Sequence, residues 1–300
     1  MTTLTITPSG AGLGATIDGL DLARPVDAAT QRTLVDALGR HAVLRFPGQS
    51  LRPGELKAFA AGFGTLEVNV AGAFQDAEHP EVMTLSNIVQ DGRAIGLPDA
   101  GQGWHTDMSY STEIALANCL YALRVPRRDG VALGNTEFSN MVAAYDDLPA
   151  DVKRRLDGAT ATHDFNKFWD MMRARPGSTR PPLTEAQRRQ KPPVSQPVFL
   201  RHPLTGRTVL YANPGYAMCI NGWPQRESDE MLAYLFEHQL QPKYRYAHQW
   251  TEGDVLLWDD IATIHNAIAD YRANEPRHIL RCQVMADRAF AEAAAASGAG

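Results

Sequence analysis

Trp104-His105-Thr106-Asp107 is the stretch on which the reading of this chain turns. On an extended strand successive side chains point to opposite faces, so His105 and Asp107 project together. That sets an imidazole nitrogen beside a carboxylate oxygen, two of the three ligands of a facial triad whose other coordination positions stay open for chemistry. Trp104 and Tyr110 favour extended structure, and Gly101 and Gly103 mark a turn just before it, so the flanks agree with a strand. The H-x-D spacing by itself is common, and a polar strand edge explains it as well. A metal site needs a second histidine from elsewhere.

His265 has the best context for that role. It follows Asp254-Val255-Leu256-Leu257-Trp258-Asp259, a buried strand ending in acidic residues, and precedes a strand carrying Arg277 and Arg281. His79 and His202 each precede proline, His41 and His238 fall at helix ends, and His163 and His248 lack a cationic strand nearby. These six read as structural or surface residues, and His278 faces away from Arg277. Arg277 and Arg281, four apart, share one face of a strand. Two interior arginines are costly unless each meets an anion, and a guanidinium suits a carboxylate. Two solvated edge charges are the other reading of that spacing.

The 300 residues are enough to bury a large core as one elaborated domain. A net charge of −5 and the absence of a long basic run disfavour a nucleic-acid partner. Met1 to Ser9 lacks the basic and apolar regions of a signal peptide, and no stretch reaches the roughly 18 apolar residues of a spanning helix, so no membrane partner is expected. Cys119, Cys219 and Cys282 form no C-x-x-C pair and read as reduced core cysteines of a cytoplasmic protein.

Strand patterns recur at 4–6, 15–17, 42–46, 82–85, 115–123, 131–138, around 199, at 208–211, near 220, and at 244–248, 255–258, 263–266 and 279–285. Helices are expected at 28–39 behind the cap Asp27, at 53–64 behind Pro53, from Asn140 to Tyr145, from Pro149 to Leu156, and at 227–240. Residues 166–197 are rich in Arg, Lys and Pro with only a short helix near 184–189, which suits a lid, a binding loop or mobile surface. The Ala/Gly/Ser tail 289–300 is expected to fray. Nothing alternates βαβ. The pattern predicts one mainly β domain with flanking helices (α+β), an antiparallel sandwich or barrel.

The residues also carry a resemblance. Gly19-Leu20-Asp21-Leu22 with Pro25, Trp104-His105-Thr106-Asp107, Asn135-Thr136-Glu137-Phe138-Ser139, His163-Asp164-Phe165, His202-Pro203-Leu204-Thr205-Gly206, Trp258-Asp259, His265, Arg277 and Arg281 occur in an order that closely resembles the TauD/TfdA family of Fe(II)/2-oxoglutarate-dependent dioxygenases. The resemblance implies a double-stranded β-helix (jelly roll) and iron held by His105, Asp107 and His265. It implies 2-oxoglutarate bound by Thr136 and Arg277, O2 as oxidant, and Arg281 near an anionic group of a small-molecule substrate. It also implies self-association into a homo-oligomer. Asn69, Met108, Tyr110, Phe168 and Trp169 are further candidates for the substrate pocket, although Phe168 and Trp169 read equally as core aromatics.

Departures from the family bear on the substrate. Taurine enzymes carry a His and a Tyr where this chain has Asn69 and Gly72, and an Asn where it has Gly101, which argues against taurine and for a larger, less basic pocket. The usual Trp-Asp-Asn-Arg is here Trp258-Asp259-Asp260-Ile261. One extra residue between His265 and Arg277 resembles the aryloxyalkanoate branch and points to a carboxylate substrate. A taurine or alkylsulfonate dioxygenase, a non-catalytic jelly-roll binding protein and a zinc hydrolase are the rival readings, and Thr136 with Arg277 speaks against the last, since a hydrolase needs no dicarboxylate clamp.

Overall fold

Val255–Asp259, buried at every residue, is the middle strand of a seven-stranded sheet in the computed structural model, which describes residues 4–68, 74–175, 178 and 180–298. Across the sheet the order is Thr5–Pro8, Ala15–Asp18, Val43–Phe46, Val255–Asp259, Ala115–Arg124, His278–Met285 and Met83–Ser86. Only Ala15–Asp18 beside Val43–Phe46 is parallel; every other neighbour is antiparallel. Val255–Asp259 and most of Ala115–Arg124 read as unbroken apolar runs because both faces of the sheet are covered. The helices Ala28–His41 and Pro53–Ala61 lie against one face. A smaller antiparallel sheet, Arg245–His248, Thr136–Asn140 and Thr263–Ala267, covers the other, with Phe138 set edge-on to Trp258 at 5.4 Å. A third, antiparallel sheet is formed by Val194–Pro197, Thr160–His163 and Ala217–Ile220. The architecture is the mainly β jelly roll with flanking helices that the sequence led us to expect.

The caps follow local chemistry. Asp27 accepts the N–H groups of Ala29 and Thr30, each at 2.9 Å, and Asn140 accepts those of Val142 and Ala143 at the head of Met141–Asp146. Cys119 and Cys282 sit opposite each other on adjacent strands as free thiols. Among the described residues no helix is long and apolar enough to cross a membrane.

Four local expectations need correction. The 131–138 run is not one strand: Val131–Ala132 pairs with Arg127–Arg128, and the chain breaks at Gly134 before Thr136–Asn140. Gly134 has φ +74°, and the Tyr271 ring packs where its side chain would be, at 3.2 Å. Within 166–197 the structure forms a helix, Phe165–Arg173, capped by the Asp164 carboxylate, then Glu185–Gln190 and the strand Val194–Pro197. The first helix was illegible because its apolar face packs on other aromatic side chains of the insertion and site rather than on the main core. The tail does not fray at once, because Asp287–Gly298 is helical, as its alanines favour. Finally, His105-Thr106-Asp107 is no strand: His105 makes a single isolated bridge, and Asp107 enters a turn.

One charge pair, with its carboxylate buried, joins two inner strands of the large sheet. Asp254 accepts from Arg45 Nε at 3.0 Å and from the Thr251 N–H at 2.9 Å. Burial favours its neutral form, but His248, Arg45 and Thr251 outweigh that and hold its carboxyl below the ordinary value. A carboxyl depressed in the folded state contributes stability above its unfolded value, near pH 4, which is lost as pH falls through the folded one. Asp254→Asn is expected to cost roughly 1.5–3 kcal/mol at neutral pH. In thermal melts the gap between variant and parent should close in strong acid, and a gap of constant size across the pH range would count against the charge as its cause.

Candidate active site

Two reciprocal backbone hydrogen bonds bring the distant histidines together. The His105 N–H donates to the His265 carbonyl at 3.0 Å, and the His265 N–H donates to the His105 carbonyl at 2.7 Å. Residues directly opposite in an antiparallel pair present their side chains on one side, and the two rings lie 4.3 Å apart. Asp107 joins them from the turn, which Met108 reverses with a φ of 58°. Its Oδ1 is 3.5 Å from His105 Nε2 and its Oδ2 is 4.0 Å from His265 Nε2. One donor atom from each of the three lies within 4.8 Å of the others. Bonds of about 2.1 Å to a common ion require such a spacing.

The surroundings fix the donors. His105 Nδ1 lies 2.7 Å from the Gly103 carbonyl, which puts the proton on Nδ1 and leaves the Nε2 lone pair facing the triad. Gly215 permits this placement, since a side chain there would meet His105 Cβ at 2.6 Å. Burial, with His105 adding to it, pulls His265 down to about 3, so its imidazole is neutral as a ligand must be. Burial works against the charge of Asp107, but Arg281, His105 and His265 prevail and hold the carboxyl well below its ordinary range. Two imidazoles and an ionised carboxylate fit a divalent iron.

Asn118 is a site residue that the sequence reading missed. Wholly buried, its amide donates to Asp107 Oδ2 at 2.8 Å and to Asp260 Oδ2 at 2.7 Å, and its carbonyl accepts from Arg281 Nε at 2.8 Å. The signal was a lone amide in the apolar run Ala115-Leu116-Ala117-Asn118-Cys119-Leu120. Asp260 takes the Trp258 indole N–H at 2.9 Å and lies 3.8 Å from His265 Nδ1. Burial, and then the Asp107 charge, push its carboxyl well above the ordinary range. His202 is also structural: its Nε2 is 2.7 Å from Asp259 Oδ2, and Asp259 Oδ1 accepts the Ile261 and Ala262 N–H groups that start the turn toward His265.

The two arginines differ. Arg281 Nη2 donates to Asp107 Oδ2 at 3.0 Å and also to Gln283. Arg277, one residue before its strand, is 5% exposed, and its backbone is held by Asn87 and Ser86. Tyr271, 6.0 Å away at the ring centre, is its polar neighbour; among the described residues no carboxylate contributes to its environment, and burial pulls it below an arginine's ordinary value. Thr136 is buried and accepts the Trp250 indole N–H at 3.0 Å. It lies two residues from Phe138, which is opposite His265, so Thr136 shares that face of the small sheet. The Tyr271 ring that flanks Arg277 also packs on Gly134, beside the Thr136 segment.

The other candidates scatter. Phe168 stacks 4.6 Å from His105, and Tyr110 packs on Phe165 and on Tyr216, which in turn lies 6.1 Å from His105. Met108 is buried with Ala115 and Met285. Trp169 donates its indole N–H to the Pro181 carbonyl and carries Arg180 over its ring, so it braces the insertion. Asn69 and Gly72 lie outside the described residues. Gly101 has φ +76°, a backbone state that an asparagine tolerates less readily than glycine.

Residues 5–283 match the family described as taurine catabolism dioxygenase TauD, TfdA family. The chain belongs to the TauD/TfdA family. It is 33% identical over 282 residues to the alpha-ketoglutarate-dependent 2,4-dichlorophenoxyacetate dioxygenase of Burkholderia sp. (strain RASC), covering 91% of each chain. It is 31% identical over 267 residues to pentalenolactone F synthase of Streptomyces arenae, covering 87% of this chain and 88% of that one. Among solved structures, AAD-2 in complex with Mn(II) and N-oxalylglycine superposes with a TM-score of 0.78 at 27% identity, over 94% of this chain and 97% of that chain. This TauD/TfdA member is therefore a 2-oxoglutarate-dependent dioxygenase that uses Fe(II), 2-oxoglutarate and O2. Its His105, Asp107 and His265 form the one cluster of three metal-binding side chains among the described residues.

Proposed function

We propose that this dioxygenase oxidises a C–H bond of a small, carboxylate-bearing substrate at iron held by His105, Asp107 and His265, with Arg277 and Thr136 clamping 2-oxoglutarate. The observation that carries the reading is Arg277: a buried guanidinium that meets no carboxylate among the described residues is costly unless an anionic ligand completes it. The distal carboxylate of 2-oxoglutarate suits it in charge and in bidentate geometry, and Thr136 adds a hydroxyl from the face that carries His265. Bound iron and its cosubstrates supply the oxidative decarboxylation to succinate and CO2 and the oxidation of the substrate carbon.

The chain's own contribution is positional. Gly103 fixes the tautomer of His105, while Asn118 and Arg281 hold Asp107 through Oδ2 and leave Oδ1 toward His105. Phe168, Tyr216 and Tyr110 wall the approach with aromatic rings that exclude water and orient an apolar substrate body. The activities of the 2,4-dichlorophenoxyacetate relatives support a carboxylate substrate, and the Asn69 and Gly72 departures count against taurine.

Anaerobic addition of Fe(II) and 2-oxoglutarate is expected to give a visible metal-to-ligand charge-transfer band that His105→Ala lacks. No band in the wild-type protein would return the chain to the binding-protein or zinc readings. Succinate release over a panel of aryloxyalkanoates, sulfonates and N-substituted amino acids then separates the substrate classes.

A further inference from the structure

Both carboxylate oxygens of Glu137 are taken up by partners on the neighbouring strands. Oε1 accepts from Arg245 Nη2 at 2.8 Å, and Oε2 accepts from the Asn266 amide nitrogen at 3.0 Å. Asn266 stands directly opposite Glu137 where Thr136–Asn140 pairs with Thr263–Ala267, so the two share one face of the small sheet, the face turned away from Thr136 and His265. A carboxylate only accepts, and Oε2 therefore settles which way the amide faces. The nitrogen points to Glu137, which leaves Oδ1 to accept the Gly103 N–H at 2.7 Å.

Gly103 is where this line of contacts meets the metal site. Its carbonyl lies 2.7 Å from His105 Nδ1, the atom whose proton leaves Nε2 free for the triad. Gly103 has φ +91° and no side chain, so its two peptides are aimed by what their neighbours hold. Asn266 holds the peptide ahead of it. The peptide behind it leads into Trp104, whose ring lies under the Arg245 guanidinium at 5.1 Å. Both holds end on Glu137. The Ala267 N–H also donates to the Gly101 carbonyl at 2.8 Å, and the backbone bonds between His105 and His265 need no side chain, so the loop keeps its place when the amide or the carboxylate is removed. What is freed is the aim of the Gly103 carbonyl.

We propose that Glu137 is a positioning residue for the metal site, which orients the Asn266 amide and through it fixes the Gly103 carbonyl and the tautomer and aim of His105. This assignment rests on the site reading given above. It adds that one metal ligand is tuned from the opposite face of the small sheet, by a residue next to Thr136 acting through a residue next to His265. A firm acceptor at Nδ1 makes the imidazole a better donor at Nε2. A loosened one makes it poorer.

The test uses full-length protein, with Mn(II) binding read by calorimetry and the Fe(II)–2-oxoglutarate charge-transfer band read without oxygen. Asn266→Ala and Glu137→Ala are each expected to weaken Mn(II) about ten- to hundredfold, the range for an outer-shell partner of a metal ligand. Each should also move the band to higher energy, because a poorer donor at His105 leaves the iron less ready to pass charge to the 2-oxo acid. The double variant should bind Mn(II) as Asn266→Ala does, since Glu137 acts through that amide. Glu137→Gln keeps an oxygen for Asn266 and should recover most of the affinity. Asn266→Leu, nearly equal to asparagine in volume and lacking the acceptor, repeats the measurement should the alanine variant fold poorly. Parental affinity and band position in the Asn266 variants, losses that add in the double variant, or a lower melting temperature with band and affinity unchanged would overturn the assignment. Mn(II) binding by the parent keeps the two levels apart. If the parent does not bind it, the site reading falls and takes this role with it; if parent and variants bind it alike, only the role of Glu137 falls.

Discussion

Asp107→Ala is expected to abolish the charge-transfer band and reduce succinate release by more than the roughly 10- to 100-fold that losing an outer-shell partner of a metal ligand costs. The carboxylate serves two neighbours. Oδ1 faces His105 on the side of the triad, while Oδ2 accepts from Asn118 and Arg281. Its removal takes away a donor atom and leaves the Arg281 guanidinium beside Asn118 and Gln283 without its ion-pair partner. The thermal midpoint should therefore fall together with the band, since breaking a largely buried charge pair leaves one charge uncompensated. Asp107→Asn, nearly equal in volume, should lose the band as well. A band of parental intensity in either variant would remove Asp107 from the ligand set.

Arg277→Met is expected to separate function from stability in the opposite sense. Loss of a charged, bidentate contact should raise the Michaelis constant for 2-oxoglutarate about ten- to hundredfold, with far less effect on that for the primary substrate. Melting should be unchanged or improved without ligand, because the variant trades a buried cation that meets no carboxylate among the described residues for an apolar side chain of similar length. Added 2-oxoglutarate should stabilise the parent more than the variant, as a ligand that binds only the folded state does. A variant that melts well below the parent, with both Michaelis constants raised alike, would mark Arg277 as a structural residue instead.

Much of the fold was legible in the chain. Val255–Asp259 and Ala115–Arg124 are apolar at nearly every position, as strands covered on both faces must be, and Asp27 and Asn140 announce their helices by capping chemistry. Phe165–Arg173 was hidden because its partners are Tyr110 and Tyr216, contributed by segments far away in sequence. The strand assigned to His105-Thr106-Asp107 followed from a period-two argument, which reported the shared direction of the two donors but mistook its cause. In the structure it comes from one bridge to His265 and a turn through a left-handed Met108.

What the sequence determined by itself was the chemistry available: two imidazoles and a carboxylate for iron, a pair of arginines, a mainly β frame and the family to which these belong. Those are properties of residue types, periodicity and order, which are written locally along the chain. Only the tertiary structure decided how the charges are spent. Arg277 and Arg281 have the same side chain four residues apart, yet Arg281 is neutralised by Asp107 from a turn 174 residues earlier, while Arg277 meets no carboxylate among the described residues. Asn118 likewise owes its place to segments that meet only on folding. The physical reason is that the worth of a charge depends on what lies within a few ångströms of it and on how much water is excluded, and neither is set until strands from both ends of the chain pack together.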